Sequence, residues 1–487
     1  MSMFKWDVVY GGKTPPPGKA VAPGQRLSWG RTTGLGAQHV VAMFGATFVF
    51  PIIMGLNPNL AIMMSGIATI CFLLIVKNKV PSYLGTSASF VGGASAIYAQ
   101  GGGPADVTGA ILVAGVVLAL VGLAIHFLGS DAVNAVLPPV VTGGVVMLIG
   151  FNLAPVATSI YMPADPWIAL ITMAAVILMA VGLRGFFGRI AIFLALIFGY
   201  VLSWLADVVL GGRANADGDV VNRVDWSAVR DAAWFGFPNR TAEGLVGNQN
   251  ELGNLGEVGW HLPSFSITAT LLVLPAVIAL VAENVGHVKA VAEMTGDDLD
   301  PYMGRAVGAD GVGTVIATSV GGSPTTTYAE NIGVMAATRV YSTAAYFVAA
   351  FAAILFGFIP KFGAVIAATP AGVLGGITLV LYGMIGLLGA KIWKENDVDF
   401  GDPVNLVPVA AGLIMGIGLG TDEFFNFTAD FSLGGIAMGT LIIIVGYHLA
   451  RLIADKNRHG GAIIVGPTGA DSEDHAPPHR DGGHPTP

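Results

Sequence analysis

From Gly34 to Leu452 the chain returns repeatedly to apolar runs long enough to cross a bilayer, and that recurrence leaves few folds open to it. A hydrocarbon core about 30 Å thick takes roughly 20 apolar residues as a helix, because lipid offers no partner to an open backbone. We count fourteen runs, at 34–56, 59–76, 84–99, 106–129, 135–154, 166–183, 189–211, 264–292, 306–320, 324–338, 341–360, 370–390, 403–420 and 431–452. Only 11% of the 487 residues are charged, against about 25% in soluble domains. The expectation is an all-α polytopic membrane protein built as one large transmembrane unit. Its 68 glycines suit close helix packing and broken helices.

Two runs make poor helices. Pro81-Ser-Tyr-Leu-Gly-Thr-Ser-Ala-Ser-Phe90 is short and rich in hydroxyls, and Pro324-Thr-Thr-Thr-Tyr328 sets three β-branched residues together. Each reads as an extended piece followed by a half-helix. They fall on the third run of each half if fourteen divides as seven plus seven. An internal likeness supports that division: Pro138-Pro-Val-Val-Thr-Gly-Gly-Val-Val-Met-Leu-Ile-Gly150 resembles Thr369-Pro-Ala-Gly-Val-Leu-Gly-Gly-Ile-Thr-Leu-Val-Leu-Tyr-Gly383, and each opens the fifth run of its half. An odd number of spans inverts the second copy. Paired interrupted segments in an inverted repeat point to a transporter's central site.

With the N-terminus inside and spans alternating, eighteen of the 23 Lys and Arg fall inside, leaving Arg213, Arg223, Arg230, Arg240 and Lys361 outside. The positive-inside rule then puts both termini in the cytoplasm of a cell whose plasma, or inner, membrane holds the chain. The first thirty residues are polar and proline-rich, with no apolar signal-peptide core. The 212–262 loop, acidic and carrying Trp226, Trp234 and Trp260, reads as an external cap. The tail from Asp455 reads as disordered, and the spacing of His459, His475, His479 and His484 is too irregular for a metal site. Cys71, the one cysteine, lies in an apolar run, which excludes a disulfide framework. The net charge of −8 implies no nucleic-acid partner, and no cofactor or metal is expected.

Chemistry concentrates in two stretches. Ala282-Glu-Asn-Val-Gly-His-Val-Lys289 puts Glu283 and His287 on one helical face, below Pro275, which kinks the helix, and beside Gly286, which would let another backbone approach. Glu330 and Asn331 follow the break at Pro324. A carboxylate at membrane depth needs a partner, a proton or a water-filled cavity. Two in one low-dielectric cavity do not both ionise freely, so one can hold a proton near neutral pH, as a proton-coupled carrier requires. The same pair can accept hydrogen bonds from ring N–H groups of a small planar solute. Tyr328 can stack or donate, and backbone N–H groups at the half-helix start can bind a carbonyl. Gln38-His39 in the first run is open between packing and ligand contact. Asp310 is open between a coupling role and exposure near a membrane face.

Glu330-Asn331-x-Gly333-x4-Thr338-Arg339 resembles the defining motif of the nucleobase–ascorbate transporters, the uracil–xanthine permeases. Ala282-Glu-Asn-Val-Gly-His287 and Gln38-His39 resemble that family's eighth-span and first-span motifs. The likeness runs from about Leu27 to Leu452. It implies fourteen segments as a seven-plus-seven inverted repeat, with short antiparallel strands in segments 3 and 10. It implies a tail at 1–30, core-domain stretches at 31–130 and 263–360, gate-domain stretches at 131–211 and 361–453, and a tail at 454–487. It also implies dimers. By position, Glu283 and Glu330 would grip a nucleobase, with Tyr328 and Ala329 lending strand and backbone contacts. His287 would support Glu283 and Asn331 would buttress Glu330, with Gln38, His39 and Asp310 in support. Ala88 stands where uracil permeases often carry Phe. Either Phe90, two residues on and on the same face of an extended segment, supplies stacking, or the pocket is wider and takes thymine or xanthine.

The reading is therefore a proton-coupled importer of uracil, with a xanthine/urate or broad-specificity nucleobase permease, open to sodium coupling, as the alternative. An intramembrane enzyme is disfavoured because neither His-Glu-x-x-His nor Gly-x-Ser-x-Gly occurs. An anion carrier is disfavoured by the central carboxylates.

Overall fold

The computed structural model describes residues 4–129, 135, 137–184, 187–188, 190–214, 220–238, 258–420, 424–428 and 431–460. Its main helices are α1 (Trp29–Ile53), α2 (Pro58–Ile75), α3 (Val91–Ala99), α4 (Pro104–Leu128), α5 (Pro139–Asn152), α6 (Pro166–Gly182), α7 (Ala191–Leu210), α8 (Ile267–Val273), α9 (Ala276–Thr295), α10 (Asp300–Thr318), α11 (Ala329–Thr338), α12 (Thr343–Gly357), α13 (Pro360–Ala367), α14 (Ala371–Glu395), α15 (Pro403–Leu419) and α16 (Gly435–Gly460). Four short strands matter below: β1 (Asp7–Val8), β2 (Gln25–Arg26), β3 (Leu84–Thr86) and β4 (Thr325–Thr327).

Helix starts follow from local chemistry. Asn57-Pro58, Asp165-Pro166 and Asp402-Pro403 each place a capping side chain before a proline at the first helical position. The side-chain oxygen takes a backbone N–H that the helix leaves free, and the proline loses nothing there. Pro275 breaks α8 from α9, as a proline inside a helix must, by removing a donor and clashing with the preceding turn. Among the described residues, eight helices are long and apolar enough to cross a membrane, with 267–295 counted as one span; α12 and α13, bent by 84°, make a ninth.

The helices pack in two groups. In one, α10 lies along α4 and α12 along α2 and α1; in the other, α14 lies along α5 and α6, α15 along α16, and α7 along α6. Between the groups, α9 meets α5, α1 meets α7 and α8 meets α16. Glycine sets the closest approaches. A Cβ on Gly122 would lie 2.1 Å from the backbone nitrogen of Gly308, and one on Gly150 the same distance from that of Gly386. Without a hydrophobic drive between helices in lipid, this backbone-to-backbone packing carries much of the association.

The N-terminal stretch is more than the polar tail its composition suggests. β1 and β2 pair in parallel, and Val21 bridges to Val340. Val21 N–H donates to Arg339 O at 2.9 Å and Tyr341 N–H to Val21 O at 2.8 Å. Trp6 Nε1 donates to Thr343 Oγ1 at 2.8 Å, and the rings of Phe4 and Trp6 pack on Phe347. Val21, fully buried, closes a small core with Leu27 and Val340. The belt thus fastens the turn at the end of α11. On the opposite side of the fold, Arg223 bridges Asp165 at 2.7 Å and Asp207 at 3.1 Å, tying the 212–262 loop to α6 and α7. The loop's acidic residues Glu243, Glu251 and Glu257, and the side chains of His459, His475, His479 and His484, lie outside the described residues.

Candidate functional site

β3 and β4 pair antiparallel, Leu84 opposite Thr327, Gly85 opposite Thr326 and Thr86 opposite Thr325. Ser87 N–H to Pro324 O at 2.9 Å and Tyr328 N–H to Tyr83 O at 3.0 Å lengthen the ladder. A two-stranded ribbon inside a membrane protein has edges that water cannot satisfy. Threonines from flanking helices do so. Thr69 of α2 accepts the N–H of Leu84 at 2.9 Å, and Thr314 of α10 accepts the N–H of Thr325 at 3.1 Å while donating to its carbonyl at 3.0 Å.

Past the strands, the chain turns into α3 on one side and α11 on the other. α9 packs against β4, α11 and the turn at Ala88–Phe90. The strands are buried, but Ala329 is exposed and Glu283, Glu330, Ala88 and Ser89 are half-buried. These residues border open space where two half-helices begin, and the first-turn N–H groups of α11 have no helical partner there. Asp310, on α10, is linked to the segment that carries Glu283 through Asn284, whose Nδ2 donates to Asp310 Oδ2. Asp310 is fully buried, which removes its exposed reading.

Several assignments change. Tyr328 is buried, and its hydroxyl donates to Thr86 O at 2.7 Å while accepting from Thr47 Oγ1 at 3.1 Å. It pins the ribbon rather than offering a free donor. His287 does not support Glu283; its Nδ1 meets Thr327 Oγ1 at 2.7 Å. Asn331 does not buttress Glu330 but donates to His39 O at 2.9 Å and meets His39 Nδ1 at 3.2 Å. His39 is buried with its ring tilted against that of Tyr346, centroids 4.3 Å apart, and is tied to the half-helix through Asn331. Gln38 precedes it, half-buried on α1. No backbone approaches Gly286, where a Cβ would meet nothing within 4 Å. The extended face proposed for Phe90 does not exist, because β3 ends at Thr86 and Ala88–Phe90 forms a 3-10 turn. Phe90 is fully buried in the core.

Sequence reasoning missed the residues that join these parts. Asn284 Nδ2 donates to Asp310 Oδ2 at 2.6 Å, and Thr327 Oγ1 donates to Asn284 Oδ1 at 3.1 Å. With His287 this makes a continuous chain from α10 through α9 and β4. Asn284 stands inside the motif that supplied Glu283 and His287, so the signal was present. Among the described residues no three of His, Cys, Asp and Glu converge as metal ligands.

Gly85 is required where Tyr328 crosses it, since a Cβ would sit 2.4 Å from the ring and 2.6 Å from Thr47 Oγ1. Gly85→Ala is expected to cost about 1–3 kcal/mol by overpacking. A melting curve in detergent that does not shift downward would refute this pinning.

A family profile described as "Permease family" matches residues 30–423. RutG of Escherichia coli (strain K12), named as a candidate pyrimidine permease, is 43% identical over 464 residues, covering 93% of this chain and 98% of its own. The uracil permease of Bacillus subtilis (strain 168) is 32% identical, covering 84% and 90%. That of Escherichia coli (strain K12) is 33% identical, covering 87% and 92%. Among solved structures, SLC26A9 matches with a TM-score of 0.56 at 12% identity, covering 87% of this chain and 65% of that one. The transmembrane domain of the cyanobacterial bicarbonate transporter BicA matches at 0.50 and 14%, covering 86% and 96%. These two speak to the fold alone: a mostly helical, multi-pass membrane protein. The chain belongs to the nucleobase–ascorbate transporter family, the uracil–xanthine permeases.

Proposed function

We propose that this protein imports uracil, by proton symport, through alternating access across the inner membrane. Nucleobase transport is the broad function its pyrimidine- and uracil-permease relatives support. The observation that carries the finer reading is the packing of α9, which carries Glu283, against α11, which starts at the exposed Ala329 and the half-buried Glu330. A planar base with ring N–H and C=O groups pairs with a carboxylate that accepts and a half-helix start that donates. Glu283 and Glu330 supply carboxylate oxygens at which a proton can be taken up with substrate and released after it.

The packing supports a seven-plus-seven arrangement. α4 with α10 and α2 with α12 occupy equivalent places in the two halves, as do α6 with α7 and α15 with α16. Thr69 grips Leu84 as Thr314 grips Thr325, one edge of the ribbon in each half. On this reading α1–α4 and α8–α12 form the core domain that carries the site, α5–α7 and α14–α16 form the gate, and both termini are cytoplasmic. A homodimer is part of the same proposal.

The half-buried Ala88, in a place without an aromatic side chain, favours breadth as a second reading: thymine and xanthine should compete with radiolabelled uracil. Coupling is tested in sodium-free proteoliposomes with an inward proton gradient. Uracil is expected to accumulate and to leak back when a protonophore is added. Uptake that waits for sodium would overturn the proton.

A further inference from the structure

A cavity of about 190 Å³ lies between the two helix groups. One wall is α9, from Ile278 through Gly286 to Lys289; the other is formed by Thr142 of α5 with Ile392 and Glu395 of α14. Ala282, next in sequence to Glu283, lines it midway between Ile278 and Lys289, and the Lys289 end carries two charged side chains of opposite sign from opposing walls. Lys289 and Glu395 are both exposed. Gly286, halfway along, presents no side chain, and the space beside it is empty of protein to 4 Å.

We propose that this cavity is the cytoplasmic vestibule of the substrate path, and that Lys289 and Glu395 are the pair that shuts it when the two helix groups close. The inference rests on the transport reading above. The cavity lies at an interface where α9 of one group meets α5 of the other, so a movement of one group against the other changes its width. Among the described residues, the ion pair of Glu395 is with Lys391 on its own helix, an exposed partner at 3.5 Å. Such a pair is weak and readily exchanged. Closure offers Glu395 a second cation across the mouth, in a space that empties of water as it narrows and so strengthens the attraction. Gly286 keeps the passage wide in the open state.

Disulfide trapping tests this without relying on transport. In a Cys71→Ser background, a Lys289→Cys/Glu395→Cys protein in membranes is treated with copper phenanthroline and scored by the gel shift of a maleimide–polyethylene glycol label. A disulfide forms only where Cα atoms come within about 7 Å, so cross-linking reports closure. Expected is a cross-link in most molecules, with uracil uptake falling at least tenfold and returning on reduction. Separately, Lys289→Glu and Glu395→Lys are each expected to lower uptake at least fivefold, and the double swap to recover more than half. A pair that never cross-links, or a double swap no better than the single changes, overturns the proposal. Cross-linking with charge-swap proteins that take up another solute but never uracil would instead refute the substrate while leaving the closing pair in place.

Discussion

Glu283→Gln is expected to abolish accumulation of uracil while the protein remains folded and in the membrane. Gln fills the same space on α9 but cannot take a proton, and it turns one accepting oxygen into a donor. On the transport reading Glu283 exchanges the coupling proton, so removing its carboxylate removes that exchange. A hydrogen bond to a charged group contributes about 1.5–3 kcal/mol, so lost affinity should be on the order of 10- to 100-fold. Glu330→Gln is expected to weaken binding by a similar factor and to shift preference toward xanthine. Binding to purified protein and uptake in vesicles separate the two effects. Accumulation driven by a proton gradient in Glu283→Gln would rule Glu283 out as a proton carrier, and unchanged uracil affinity in Glu330→Gln would remove Glu330 from the site.

Much of the frame was legible because bilayer physics writes itself into length. The apolar runs showed where helices stand, while the pairs Asn57-Pro58, Asp165-Pro166 and Asp402-Pro403, which start three of them, went unread. The ribbon was legible at Thr325–Thr327, where three β-branched residues follow a proline. Its end was not. Period-two alternation predicts a face only while the strand lasts, and β3 stops at Thr86, before Ala88 and Phe90. Helical spacing failed in a related way. Residues four apart share a face, but a third element can lie between them and what they were expected to touch, and Thr327 takes the His287 contact expected for Glu283. Asp310 was ambiguous because α10 is weakly apolar and gives no depth signal along its length. The N-terminal belt was hidden by composition. Its order comes from one backbone bridge at Val340 and from Trp6 and Phe4 packing on a distant helix, and none of these has a local signature.

Thr327→Val is expected to lower uracil transport at least tenfold, while Thr327→Ser stays close to the unaltered protein. Thr327 Oγ1 donates to Asn284 Oδ1, so the proton on its contact with His287 must come from Nδ1. That fixes the tautomer assigned to His287, with Nε2 left as the acceptor. The chain then runs in one direction, from His287 N–H to the Thr327 hydroxyl to the Asn284 carbonyl, with the Asn284 amide donating to Asp310. Valine keeps the β-branched shape and the strand propensity of β4 but strands a donor on His287 and an acceptor on Asn284. Each buried group left without a partner costs about 1–3 kcal/mol. The freed ring can then adopt the other tautomer, and Asn284 no longer holds Asp310 against α9. Serine restores the hydroxyl, so rescue by serine separates the hydrogen bond from the packing. The pH profile of uptake should move with Thr327→Val and not with Thr327→Ser. If transport and its pH profile survive in the valine protein, this chain only braces the ribbon, and the proton path must be sought at Glu283 and Glu330 alone.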